Sequence, residues 1–157
     1  MARGRRKRAE LISLSIPSVP KLLQVVRCMI SHVAETKGFA LKDRDKICLA
    51  VGEACSNIMR HSYKGQPDGK IVIKCKLHGD KLTISIRDFG EKIDLARVRP
   101  LDTHDVRPGG LGVHMIRRAM DEVEYDISHK AGTEIHMTKY LSPREAENHG
   151  SERPARG

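Results

Sequence analysis

The first pattern along the chain is Glu10-Leu11-Ile12-Ser13-Leu14-Ser15-Ile16, which alternates apolar and polar as a half-buried strand does, and Pro17 ends it. Ser18 stands where it would cap a helix running to about Lys37. Leu22, Val26, Met29, Ile30 and Val33 share one face of that helix, and Gly38 closes it. A second helix is predicted from near Asp43 through Tyr63. Its positions Ile47, Ala50, Val51, Ala54 and Ile58 line up as one apolar stripe at about 100° per residue, with His61 near the middle as a packed residue. Residues 64–69, rich in glycine and proline, read as a loop.

The clearest element follows. Ile71, Ile73, Cys75 and Leu77 alternate with Lys74, Lys76 and His78; across a Gly79-Asp80 turn, Leu82, Ile84 and Ile86 alternate with Thr83, Ser85 and Arg87. This predicts a β-hairpin with one buried face. Counting on in twos, Asp88 falls in phase with the buried residues, so its carboxylate points inward and needs a donor. Gly90, two residues later, would let the backbone approach something flat. Residues 91–108 form an irregular segment with Arg97, Arg99 and Arg107, long enough to act as a lid. Gly109-Gly110-Leu111-Gly112 then opens a short helix bearing Val113, Met115, Ile116, Ala119 and Met120, an arrangement that leaves backbone N–H groups free for an anion. Val123, Tyr125 and Ile127 alternate as a strand, as do Thr133, Ile135 and Met137 beyond a Lys130-Ala131-Gly132 turn.

Composition narrows the class. A chain of 157 residues, 39% of them hydrophobic, suits one core; with no Trp and two Phe, that core is aliphatic. No run approaches the roughly 18 apolar residues of a membrane span, so a soluble, cytoplasmic protein without a membrane partner is expected. Cys28, Cys48, Cys55 and Cys75 form no C-x-x-C pair and read as reduced thiols, mostly buried. Of the net charge of +9, five units sit in residues 1–8. That basic arm is expected to be disordered, as are residues 143–157, leaving residues 9–142 as the domain. The domain carries no RNA-binding aromatic strand and no DNA-reading helix pair, and no direct nucleic-acid contact is expected.

The chemistry concentrates in the second helix. Glu53 and Asn57 are four apart, one turn above the other, on the edge of the apolar stripe, so an acid and an amide face a half-buried groove.

Taken in order, Glu53-Ala54-x-x-Asn57, Asp88-x-Gly90, Gly109-Gly110-Leu111-Gly112 and Gly132-Thr133 resemble the conserved boxes of the GHKL ATPase superfamily, which includes histidine-kinase catalytic domains. The phrases around Glu53–Ile58, His61–Tyr63, Pro108–Gly112, Met120–Tyr125 and Met137–Leu141 are similar to the anti-sigma-factor serine/threonine kinases of bacteria. The resemblance implies a two-layer α/β sandwich, the histidine-kinase-like ATPase (Bergerat) fold: a mixed, mostly antiparallel sheet with helices on one face and ATP under a lid. It also implies roles. Asn57 would coordinate Mg²⁺, Glu53 would be the general base, and Asp88 would accept from the adenine amino group, with Gly90 and Thr133 beside it. Gly110 and Gly112 would hold the nucleotide's phosphates, with Gly109 and Leu111 in the same nucleotide-binding turn. Apart from the resemblance, Arg107, just before the glycines, is the candidate for stabilising charge on the transferring group. The partners implied are a sigma factor and an anti-anti-sigma (STAS-type) protein, with the chain as a homodimer.

The leading reading is therefore an ATP-dependent serine/threonine kinase that acts as an anti-sigma factor. The alternative is a nucleotide-gated binding module that sequesters a partner without transfer, against which Glu53 argues, since a nucleotide holder needs no base there. A histidine-kinase-like catalytic domain lacks its attached dimerisation helices here, and a nucleic-acid binder would have to rest on the basic arm.

Overall fold

A computed structural model describes residues 9–98 and 111–151. Strand β1 (Glu10–Pro17) leads through a short 3-10 turn (Pro20–Leu22) into α1 (Leu23–Lys37). Helix α2 (Leu41–Asn57) runs on into a π-helical turn (Ile58–Ser62), and the hairpin of β2 (Lys70–His78) and β3 (Lys81–Asp88) comes next. After α3 (Leu95–Val98) and α4 (Leu111–Ala119), β4 (Glu122–Asp126) and β5 (Glu134–Tyr140) complete the sheet, and α5 (Pro143–Ser151) follows.

The sheet order is β1-β2-β3-β5-β4, and all four pairings are antiparallel. The expected mixed sheet is thus corrected to a purely antiparallel one: β3 and β4 run in the same direction, and β5, turning back from β4 by a hairpin, lies between them antiparallel to both. The alternating register does what the sequence requires. Ile71, Ile73, Cys75, Ile84 and Ile86 are fully buried, while Lys74 and Lys76 on the intervening positions are exposed. Against the buried face lie Val26, Ile30 and Val33 of α1, Ile47, Ala50, Val51 and Ala54 of α2, and Ile116 of α4. The layer arrangement is that of an α/β sandwich with its helices on one face.

Several local expectations change. Gly38 closes α1 at φ 102°, but Ser18 does not cap it: the Ser18 hydroxyl donates to the Gln66 carbonyl and accepts from the Gly69 N–H at 3.0 Å, tying β1 to the loop before β2. Residues beyond Ser142 were expected to be structureless, yet 143–151 form α5. Its start is a capping box: Glu145 Oε2 accepts from Ser142 N–H at 2.7 Å, and Ser142 Oγ accepts from Glu145 N–H at 3.4 Å. Glu145 Oε1 also accepts from Ala40 N–H at 2.6 Å, at the N-terminus of α2. Among the described residues, no helix is long and apolar enough to cross a membrane.

Candidate active site

Helix α2 sets the site. Its apolar stripe is buried against the sheet, which leaves Glu53 and Asn57 half-buried along the stripe's edge, as their spacing requires. Opposite them begins α4. A Cβ placed on Gly112 would lie 3.0 Å from Glu53 Oε2, 3.4 Å from Asn57 Nδ2 and 3.5 Å from Asn57 Oδ1. The acid, the amide and the opening turn of a helix therefore meet around one point, and the backbone comes this close because Gly112 has no side chain. Leu111 starts α4 with its side chain exposed. Gly109, Gly110, Arg107 and Arg99 lie outside the described residues. Asn57 Oδ1 accepts from Arg60 Nη2 at 3.1 Å. An amide oxygen has two lone pairs, so the second stays available to a cation.

The π turn directly after Asn57 was not foreseen. It adds about one residue per turn to the helical path, so the positions after Ile58 lag behind the α-helical stripe. His61, expected to pack within the stripe, is exposed for this reason. The same turn delivers Ser62 and Tyr63 to the end of β3. Tyr63 Oη accepts from Phe89 N–H at 2.8 Å and donates to the Lys70 carbonyl at 2.5 Å, and Glu91 N–H donates to the Ser62 carbonyl at 3.1 Å. The residues after β3 are thereby fastened to the end of α2.

Asp88, the last residue of β3, is 1% exposed. Its Oδ1 accepts from Gly90 N–H at 3.0 Å and its Oδ2 from Thr133 N–H at 3.3 Å, with the Ser62 hydroxyl also in range. Burial pushes its carboxyl above the usual aspartate range, and the hydrogen bonds from Gly90, Ser62 and Thr133 work against that rise. A Cβ on Gly90 would run into the Ser62 carbonyl, so the chain's own backbone also comes close at this glycine. Thr133 is buried beside Asp88, and its Oγ1 accepts from Ile93 N–H at 3.0 Å, which leaves the hydroxyl proton to be donated elsewhere. Arg87 adds a brace invisible in the sequence. Its guanidinium donates to the carbonyls of Asp88, of Thr133 at 3.3 Å and of Ala131 at 2.7 Å, and it lies 4.5 Å from the centre of the Phe89 ring. Long-range side-chain to carbonyl bonds of this kind leave no periodic trace.

The site thus has two corners: Glu53, Asn57 and the start of α4 at one, and Asp88, Gly90 and Thr133 at the other, joined through the π turn. The histidine kinase-like ATPase domain model matches residues 16–139, and this chain belongs to that family. Its relatives include the serine-protein kinase RsbW of Bacillus cereus (strain AH187), 33% identical over 92% of this chain and 94% of the relative. RsbW of Listeria monocytogenes serovar 1/2a is 31% identical over 87% and 90% respectively. With such relatives spanning nearly the whole chain, its class is protein serine/threonine kinase, and ATP is the nucleotide such an enzyme consumes.

Solved structures agree on the fold. The RsbU and RsbW domains of a Mycobacterium tuberculosis protein superpose with a TM-score of 0.61 at 19% identity, covering 84% of this chain and 32% of that longer one. The catalytic domain of the histidine kinase ThkA gives 0.54 at 15% identity, covering 87% of this chain and 99% of that one.

Proposed function

We propose that this chain transfers the γ-phosphate of ATP to a serine or threonine of a small anti-anti-sigma (STAS-type) protein, and separately binds and restrains a sigma factor. The observation that carries the reading is the convergence of Glu53 Oε2 and Asn57 Oδ1 on the first turn of α4. Phosphoryl transfer asks chiefly for positioning and for charge neutralisation, and this corner offers both.

In this reading Glu53 accepts the proton of the attacking hydroxyl through Oε2. The N–H groups opening α4, with the positive end of its dipole, attract the phosphates. At the other corner, Asp88 accepts from the adenine amino group while Gly90 N–H and Thr133 N–H keep the carboxylate aimed. Thr133 donates its hydroxyl proton to the base. Arg107 steadies the charge on the transferring group.

Asn57 fits Mg²⁺: a hard amide oxygen, half-buried, facing the helix opening, with one lone pair left beside its bond to Arg60. Asn57 would hold the ion beside the phosphates, where it would supply charge neutralisation and Lewis-acid polarisation. The sigma factor, the anti-anti-sigma partner and a homodimer are what the sequence resemblance to the anti-sigma-factor kinases implies, and a cytoplasmic location is proposed with them.

The test is transfer of labelled γ-phosphate from Mg·ATP to candidate STAS-type proteins, with nucleotide binding followed in parallel, for wild type, Glu53→Ala and Asn57→Ala. The reading predicts transfer by wild type alone, near-normal ATP binding by Glu53→Ala, and loss of the Mg²⁺-dependent part of affinity in Asn57→Ala. Tight ATP binding without transfer to any candidate would favour a nucleotide-gated binding module instead.

A further inference from the structure

On the face of the sheet away from the helices, at the β4–β5 turn, three donor atoms gather that the kinase reaction does not use. Asp126 closes β4 and Glu134 opens β5, and the two are direct cross-strand partners. Two carboxylates placed opposite each other repel, so the pairing calls for a positive charge between them. His129, from the turn, supplies a nitrogen there: its Nε2 lies 3.2 Å from Glu134 Oε2 and 3.5 Å from Asp126 Oδ2. All three donor atoms fall within 4.8 Å of one another.

We propose that Asp126, His129 and Glu134 form a binding site for a first-row divalent transition-metal ion of the Zn²⁺ class. The spacing fits such an ion. A tetrahedral Zn²⁺ with bonds of about 2.1 Å holds neighbouring donors about 3.4 Å apart, and the two His129 edges are at 3.2 and 3.5 Å. The third edge closes by rotation of either carboxylate. One imidazole with two carboxylates is a donor set that suits Zn²⁺ and its neighbours, with one position left for water.

The ligands are also aimed. Ser128 N–H donates to Asp126 Oδ1 at 2.8 Å, which turns Oδ2 toward His129. Glu134 is the least exposed of the three side chains, at 19%, and sits within a paired strand. A proton on Nε2 points along one direction and serves one carboxylate well; a cation at the centre of the triangle serves both.

The experiment is a calorimetric titration of the metal-free, full-length chain with ZnCl₂ alone, in a Cys28→Ser/Cys48→Ser background that removes the accessible thiols as competing ligands. The parent protein is expected to take up one ion, and His129→Gln and Glu134→Gln each to bind at least about tenfold more weakly. Both substitutions fall at half-exposed positions outside the core, and circular dichroism checks that the variants fold. Co²⁺ in place of Zn²⁺ gives a second readout, a visible ligand-field band in the parent that is absent from His129→Gln. Equal affinity in parent and His129→Gln would overturn the site, and so would no uptake by the parent.

Discussion

A Cβ added to Gly132 would overlap the carbonyl oxygen of Asp88, whose side chain is buried at the second corner of the candidate site. Gly132 also stands at φ 69°, where a side chain is strained irrespective of space. The overlapped atom is backbone and cannot swing aside, so the turn and the end of β3 would have to part. Gly132→Ala is expected to lose on the order of 2–4 kcal/mol of stability. Denaturant midpoints measure it; a loss below about 0.5 kcal/mol would show that the turn yields freely.

Glu53 and Gly112 separate chemistry from binding. Glu53→Gln keeps the shape and removes the proposed base, so transfer should fall by roughly 10²–10⁴ while ATP affinity stays within a few-fold. In Gly112→Ala the new methyl meets Glu53 Oε2 at 3.0 Å, the far end of a flexible side chain, which can move. The fold should survive that change and the transfer rate should drop. A Gly112→Ala enzyme with full activity would show that Glu53 does not act from its present position.

Asp88 gives a pH dependence of unusual sign. Because burial raises its carboxyl in the folded state, the fold disfavours the charged form. Its contribution to stability is therefore greatest at low pH and declines as pH rises from the ordinary aspartate range to the raised value. In the proposed function binding runs the other way, since only the carboxylate would accept from an adenine amino group without a competing proton. ATP affinity should thus weaken on acidification at a higher pH than an ordinary aspartate would dictate. Asp88→Asn should bind weakly throughout and lose that step, because an amide nitrogen would face either the Thr133 or the Gly90 N–H. Calorimetric affinities across about pH 4–7 decide it.

The thiols should divide by burial. Burial pushes Cys55 up to about 12 and Cys75 up to about 11, and it raises Cys48 as well. A disulfide reagent at mildly alkaline pH should modify the exposed Cys28 first and Cys48 next, leaving Cys55 and Cys75 until the chain unfolds. Four equally fast thiols in native buffer would contradict the buried core seen here.

The sequence reads well where a repeat of two or of 3.6 residues is undisturbed. Asp88 could be placed on the buried face by counting along β3, and Glu53 beside Asn57 by their spacing on α2. Where a side chain bonds to distant backbone the pattern says nothing: Ser18 resembled a helix cap but serves the loop at Gln66 and Gly69, and the Arg87 brace has no local mark. The π turn escaped notice because its composition is that of an ordinary helix, and His61 was misplaced with it. Helix α5 lacks the apolar stripe that would have announced it. Its one legible sign was Ser142-Pro143-Arg144-Glu145, a capping box with proline in the first turn.

Glu145 links that last helix to the first turn of α2, by its bond to Ala40 N–H, and Asn57 ends the same helix. Seventeen residues of α-helix make a stiff rod about 25 Å long. The chain's last described helix therefore grips one end of a lever whose other end carries Glu53 and Asn57. A force applied at α5 would reach Glu53 and Asn57 along the helix axis, without any contact in the groove.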